Sequence, residues 1–184
     1  STCMKHVLIT GGSRGIGASA ALHCAQRGMG VILTYNAQPH AAQQVVERIQ
    51  AEGGTAVALQ LDVANTGSFA AFAATVKDTL QGTWRASALG GLVNNAGFGL
   101  FNPIETVTEE QFDGLFNVHL KGPFFLTQAL LPLLGTGASI VNVSSVAAVG
   151  PGYSPTEGCV ALAEADLREV LKALGGGSVI EIRD

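Results

Sequence analysis

The chain has 184 residues, 47% hydrophobic and only 13% charged, with a formal net charge of −4. That length suits one domain with a sizeable core, expected to span 1–184, and the acidic balance gives no reason to expect nucleic acid or an anionic membrane as partner. The three cysteines lack metal-ligand spacing and point to reduced, cytoplasmic thiols.

No membrane span or secretory leader is expected: the most apolar helical window, 124–134, carries Thr127, Gln128 and Pro132 and is too short to cross a bilayer. Met4 is the expected native start. Residues 5–9 are short, apolar and β-branched, which predicts a buried first strand. Then comes Thr10-Gly11-Gly12-Ser13-Arg14-Gly15-Ile16-Gly17, followed by an Ala-rich helix over 18–28 with Gly28 as its stop. Strand, glycine-rich turn and helix in that order make a phosphate-binding device, because glycine admits close approach and a helix start offers unpaired N–H groups. The spacing differs from the Gly-x-Gly-x-x-Gly fingerprint, and a glycine-rich turn without a ligand is the alternative.

A second strand is predicted over 30–35. The helix over 38–52, with Ala41, Val45, Val46 and Ile49 at helical spacing, stops at Gly53 and Gly54. A third strand over 55–61 is closed by Asp62. Phe69, Phe72 and Val76 mark the apolar face of a helix over 66–80. Residues 81–87 read as polar and irregular, with Trp84 covering the core. Strand four is expected over 88–93. A long helical region over 108–134 is interrupted near Gly122 and Pro123, and strand five covers 138–143. A helix over 155–174 and a short sixth strand over 178–182 complete the order.

Strands alternating with helices of this length require right-handed crossovers. They predict an α/β fold of the Rossmann type, a doubly wound parallel sheet with helices on both faces. Ligands in such sheets sit beyond the carboxyl ends of the strands, where the strand order reverses. Polar or glycine residues should therefore follow strands one, four and five. They are there, as the glycine loop, as Asn94-Asn95-Ala96-Gly97 and as Ser144-Ser145.

With these residues in place the chain resembles a short-chain dehydrogenase/reductase. The matching elements are the 10–17 loop, Asp62-Val63, Asn94 to Gly97, Asn117 and Val141-Asn142-Val143-Ser144-Ser145, in the family's order over residues 5–150. NADP-dependent 3-ketoacyl reductase-like members are the nearest in character. The resemblance implies a nicotinamide-dependent oxidoreductase acting on a small carbonyl or alcohol. It also implies a homo-oligomer assembled through the long helices after strands four and five. Members run longer than this chain, so a C-terminus that is truncated, divergent or missing residues is expected.

Carried over by position, Gly11, Gly15, Ile16 and Gly17 line the pyrophosphate. Asp62 accepts from the adenine amino group with Val63 beside it, while Asn94, Ala96 and Gly97 bracket the adenosine ribose. A turn held by side-chain bonds is the alternative for Asn94 and Asn95. Asn117 is expected to hold a water at a helix kink, against a plain solvated helical Asn. NAD-specific members place an acid at the end of strand two; here Tyr35 and Asn36 stand there, which removes the repulsion a 2′-phosphate would meet. Arg14 then supplies the cation and Ser13 a hydroxyl, so NADP is favoured over NAD. A solvated loop cation is the alternative for Arg14.

Ser145, next to Ser144, holds the position of the family's substrate-orienting serine, and Phe98, Val146 and the 149–152 turn are candidate pocket walls. Tyr153 is the counterpart of the catalytic tyrosine, although it follows Ser145 sooner than the family spacing. The lysine position then falls on Glu157, whose carboxylate would raise the phenol pKa where a lysine lowers it. Lys121 reads as a structural or solvated lysine rather than a replacement. Two readings follow, an NADP-dependent carbonyl reductase and a catalytically impaired cofactor-binding member serving as sensor or assembly subunit.

Overall fold

A computed structural model describes residues 3–99 and 102–143. Its sheet comprises β1 (His6–Ile9), β2 (Gly30–Tyr35), β3 (Thr55–Gln60), β4 (Leu89–Asn94) and β5 (Leu134–Asn142). They lie in the order β3-β2-β1-β4-β5, every neighbouring pair parallel. The order reverses at β1, which pairs with β2 on one side and β4 on the other. This is the doubly wound arrangement the alternation predicts, with its switch point at the glycine loop.

The period-two alternation of side chains sorts the strands' apolar residues onto two faces. Val7, Ile9, Val31 and Leu33 pack under α1 (Gly15–Gln26) and α2 (Pro39–Ala51), against Ala21, Cys24, Val46 and Ile49. Leu8, Ile32 and Leu92 point the other way, into Phe69, Val76 and Leu80 of α3 (Phe69–Trp84) and Leu126 and Leu130 of α5 (Gly122–Leu130). The Leu and Ile side chains at 0% exposure each contribute about 1.5–3 kcal/mol of burial. Small residues on α1 let it lie close to the sheet. Cys24 there is buried, and desolvation pushes its thiol up to about 12, which leaves it unreactive.

Three expectations need correction. The helix predicted over 66–80 continues to Trp84, and only Arg85, at φ 53°, closes it. Trp84 extends it because the indole has partners: Nε1 donates to Thr55 Oγ1 at 2.9 Å and the ring lies 4.9 Å from His6. Strand five starts at Leu134 rather than 138, and its register against β4 shifts between Leu89 and Gly91. The long helical region is four pieces, ending in a 3-10 turn over Leu131–Leu133, and its break falls at Asn117–Lys121 rather than at Gly122 and Pro123. Helix α4 (Glu109–Phe116), opened by a Thr108–Gln111 capping box, runs into a π-turn (Asn117–Lys121) and then into α5. Gly122 is where the turn meets the rest of the fold, since a Cβ there would collide with the Val63 carbonyl.

Candidate functional site

At the carboxyl ends of β1, β2 and β4 the glycine loop is built from backbone bonds first. Gly11 N donates to Thr34 Oγ1 at 3.2 Å and Gly12 N to the Thr34 carbonyl at 2.8 Å. These bonds tie the start of the loop to β2, so the N–H groups left for a ligand lie farther along. Helix α1 opens at Gly15, which has φ 56°, a conformation that favours glycine. Its N-cap, Arg14, supplies no side-chain bond and its first turn holds no acid. The first amides of α1, those of Gly15, Ile16 and Gly17, thus have no intrahelical partner and carry the positive end of the helix dipole. Gly17 is tight against the Gly11 carbonyl and the Asn95 amide, where any Cβ would clash.

The second wall follows β4. Thr10, 1% exposed, takes the Asn95 and Ala96 amides on its Oγ1 at 2.9 and 3.0 Å. Asn95 Nδ2 reaches the carbonyls of Thr10 and Gly11 at 3.2 and 3.1 Å. Asn94 ends β4 inside the sheet instead of forming a turn, and its Nδ2 donates to Asn142 Oδ1 at 2.9 Å. Its own Oδ1 is buried without a partner among the described residues. Gly97 and Phe98 leave the cleft edge exposed.

The third wall comes from β2 and β3. Tyr35 ends β2 half-buried, and Asn36 beside it is exposed and receives Gln60 Nε2 at 3.4 Å. Neither residue brings a negative charge. Asp62 follows β3 and accepts the Ala64 amide at 2.9 Å, a local turn that fixes its carboxylate, with Val63 buried next to it. Arg14 is exposed, and its guanidinium makes no ion pair or hydrogen bond among the described residues.

The structure thus gathers Gly11, Ser13, Arg14, Gly15, Ile16, Gly17, Tyr35, Asn94, Ala96 and Gly97 at one end of the sheet, with Asp62 and Val63 on the adjoining β3 edge. Asn117 begins the π-turn, its carbonyl accepting from the Gly122 amide. A π-turn begins at Asn117, where a water-holding helix kink is expected, and the side chain from this turn that reaches the β4 loop is that of His119. Ser144, Ser145, Val146, Tyr153 and Glu157 lie outside the described residues. Thr10, Thr34 and His119 were not singled out from the sequence as site residues. Their signal, a polar side chain at a strand end or in a helix, becomes meaningful only once their distant partners are known.

No helix among the described residues is long and apolar enough to cross a membrane. A family model described as short chain dehydrogenase matches residues 5–156. Elsinochrome reductase 1 of Elsinoe fawcettii is 32% identical over 95% of this chain and 68% of its own length. The hydroxynaphthalene reductase-like protein Arp2 of Metarhizium anisopliae is 37% identical over 78% of this chain, but the match covers only 52% of that protein. Among solved structures, the landomycin C-6 ketoreductase LanV with bound NADP and rabelomycin superposes with a TM-score of 0.76. It is 31% identical, covering 95% of this chain and 72% of the other. Together with the switch-point loop, these likenesses show that the chain belongs to the short chain dehydrogenase family of oxidoreductases.

Proposed function

We propose that the protein is an NADP(H)-dependent oxidoreductase acting on a carbonyl or alcohol of a small molecule. One observation carries this reading: an uncapped, acid-free helix start at the switch point, beside a free Arg14 and facing a β2 end without a carboxylate. An anion fits the first feature. A second phosphate, on the ribose, fits the other two, because a guanidinium matches phosphate oxygens bidentately. The crystal of LanV with bound NADP supports the same cofactor.

In this reading the amides of Gly15, Ile16 and Gly17 hold the pyrophosphate against Gly11, and Arg14 with Ser13 holds the 2′-phosphate beside Tyr35. Asp62 and Val63 receive the adenine, and Asn94, Ala96 and Gly97 the ribose. The spare acceptor Asn94 Oδ1 lies at this end of β4. Bound NADP(H) supplies or accepts the hydride. Ser145 bonds the substrate oxygen, Tyr153 exchanges its proton, and Asn117 orders a water at the π-turn.

The whole chain is read as one domain over 1–184, in the reducing cytoplasm that the free thiols of Cys3 and Cys24 suit. Phe112, Phe116, Leu120 and Phe124, exposed at 47–64% along α4, the π-turn and α5, support a homo-oligomer. Glu157 at the lysine position favours a second reading, a catalytically impaired cofactor-binding member acting as sensor or assembly subunit.

Fluorescence titration with NADPH and NADH tests the cofactor. NADPH is expected to bind more tightly, and Arg14→Ala to weaken NADPH alone by about tenfold to a hundredfold, the worth of a charge-assisted bond. Binding of neither nucleotide would sink both readings. Turnover of a ketone panel by the wild type against Glu157→Lys separates them, since only the impaired member would gain its activity from the lysine.

A further inference from the structure

We propose that His119 is a positioning residue for the nucleotide site, fixing the loop after β4 by clasping the backbone of Phe98; the proposal rests on the dinucleotide reading above. His119 stands in the middle of the π-turn, and its Nε2 lies 2.7 Å from the Phe98 carbonyl and 3.2 Å from the Phe98 amide nitrogen. One ring nitrogen cannot serve both groups at once. It either carries a proton and donates to the carbonyl or lacks one and accepts from the amide. In either tautomer the ring is tied to the Phe98 backbone, as donor to its carbonyl or as acceptor from its amide.

The contact is made by the ring as a whole. A Cβ on Gly97 would overlap the imidazole, and the Phe98 ring stands 5.9 Å away, tilted by 49°. The rest of the loop explains why this matters. Its first residues are tied to the glycine loop through Thr10 Oγ1 and the Asn95 side chain. Beyond Ala96, the hydrogen bonds that hold Gly97 and Phe98 among the described residues all come from His119.

His119 itself is exposed, so burial adds little to what the imidazole contributes. The extra residue of a π-turn rotates the side chains that follow, and such turns recur at functional sites. Here the turn delivers one side chain to Phe98, in the loop bordering the cleft. The exposed Phe98 ring packs against the same imidazole.

The test uses the full chain as wild type, His119→Leu and His119→Gln. Gln is chosen because its Nε2 reaches roughly where the imidazole Nε2 stands and keeps a donor. Hydrogen exchange of residues 95–99 without nucleotide should become about tenfold faster in His119→Leu, the worth of one lost hydrogen bond. The NADPH dissociation constant should rise by about threefold to tenfold in the same variant. His119→Gln should restore both toward wild type, which a filler of space alone would not do. Unchanged exchange in His119→Leu, or a Gln variant no better than Leu, overturns the clasp whatever the nucleotide result. A wild type that binds neither nucleotide overturns the dinucleotide reading instead, and accelerated exchange in His119→Leu would still support the clasp.

Discussion

Thr10 uses one hydroxyl to hold three backbone groups: it accepts from the Asn95 and Ala96 amides and donates to the Val93 carbonyl at 3.5 Å. Thr10→Val keeps the shape and removes these bonds, leaving part-buried amides unpaired. The expected loss is about 1–3 kcal/mol of unfolding free energy, measured by urea denaturation, with weaker NADPH binding. An unchanged urea midpoint would mean that water or a neighbour takes over. The glycines of the loop were legible in the sequence because close approach and positive φ narrow the choice of residue. The role of Thr10 was not, since its partner Asn95 is 85 positions away. His119 was hidden for the same reason. Asn117 stood out as an awkward helix residue, and a π-turn begins there, while the side chain that the turn delivers to the β4 loop lies two positions on.

Elements were legible where periodicity was clean, as for α2, whose predicted and observed limits differ by a residue at each end. They were not where a tertiary contact decides the end. Trp84 belongs to α3 because His6 and Thr55 receive it, and no local pattern reveals them. The same corner gives a pH dependence. His6 is buried in β1, its Nε2 has no partner among the described residues, and desolvation holds its pKa below the usual 6.5. The unfolded chain therefore takes up a proton near pH 6.5 that the folded chain refuses. This contribution to stability is complete above that pH and is lost as pH falls toward the lowered folded value. His6→Leu should flatten the dependence of the urea midpoint between about pH 7.5 and 5. Parallel pH profiles for the two proteins would show that His6 is not its source.

At the scale of the molecule, the parallel sheet with helices on both faces followed from the alternation of strands and helices together with crossover handedness, while the order β3-β2-β1-β4-β5 is supplied by the structure. The family resemblance pointed to assembly through the long helices, and on the exterior of α4, the π-turn and α5 Phe112, Phe116, Leu120 and Phe124 recur every fourth residue and stay exposed. A helix normally turns such a stripe inward. If it is covered by a second copy, Phe116→Glu with Leu120→Glu should shift the light-scattering mass to that of a monomer without unfolding the sheet. A variant that keeps the wild-type mass would place the interface elsewhere.

The position of β1 also has a consequence during synthesis. The strand ends up in the middle of the sheet, yet only β2 follows it closely; Val7 must wait for Gly91 before its other edge is paired. While the residues between Tyr35 and Asn94 are being made, the nascent chain thus carries a half-built sheet whose most apolar strand has one bare edge, open to any neighbouring chain. A ribosome that pauses before β4 emerges would prolong that exposure. Yield in the cell should therefore depend on the tempo of translation through residues 60–94 more than on the strength of the finished core.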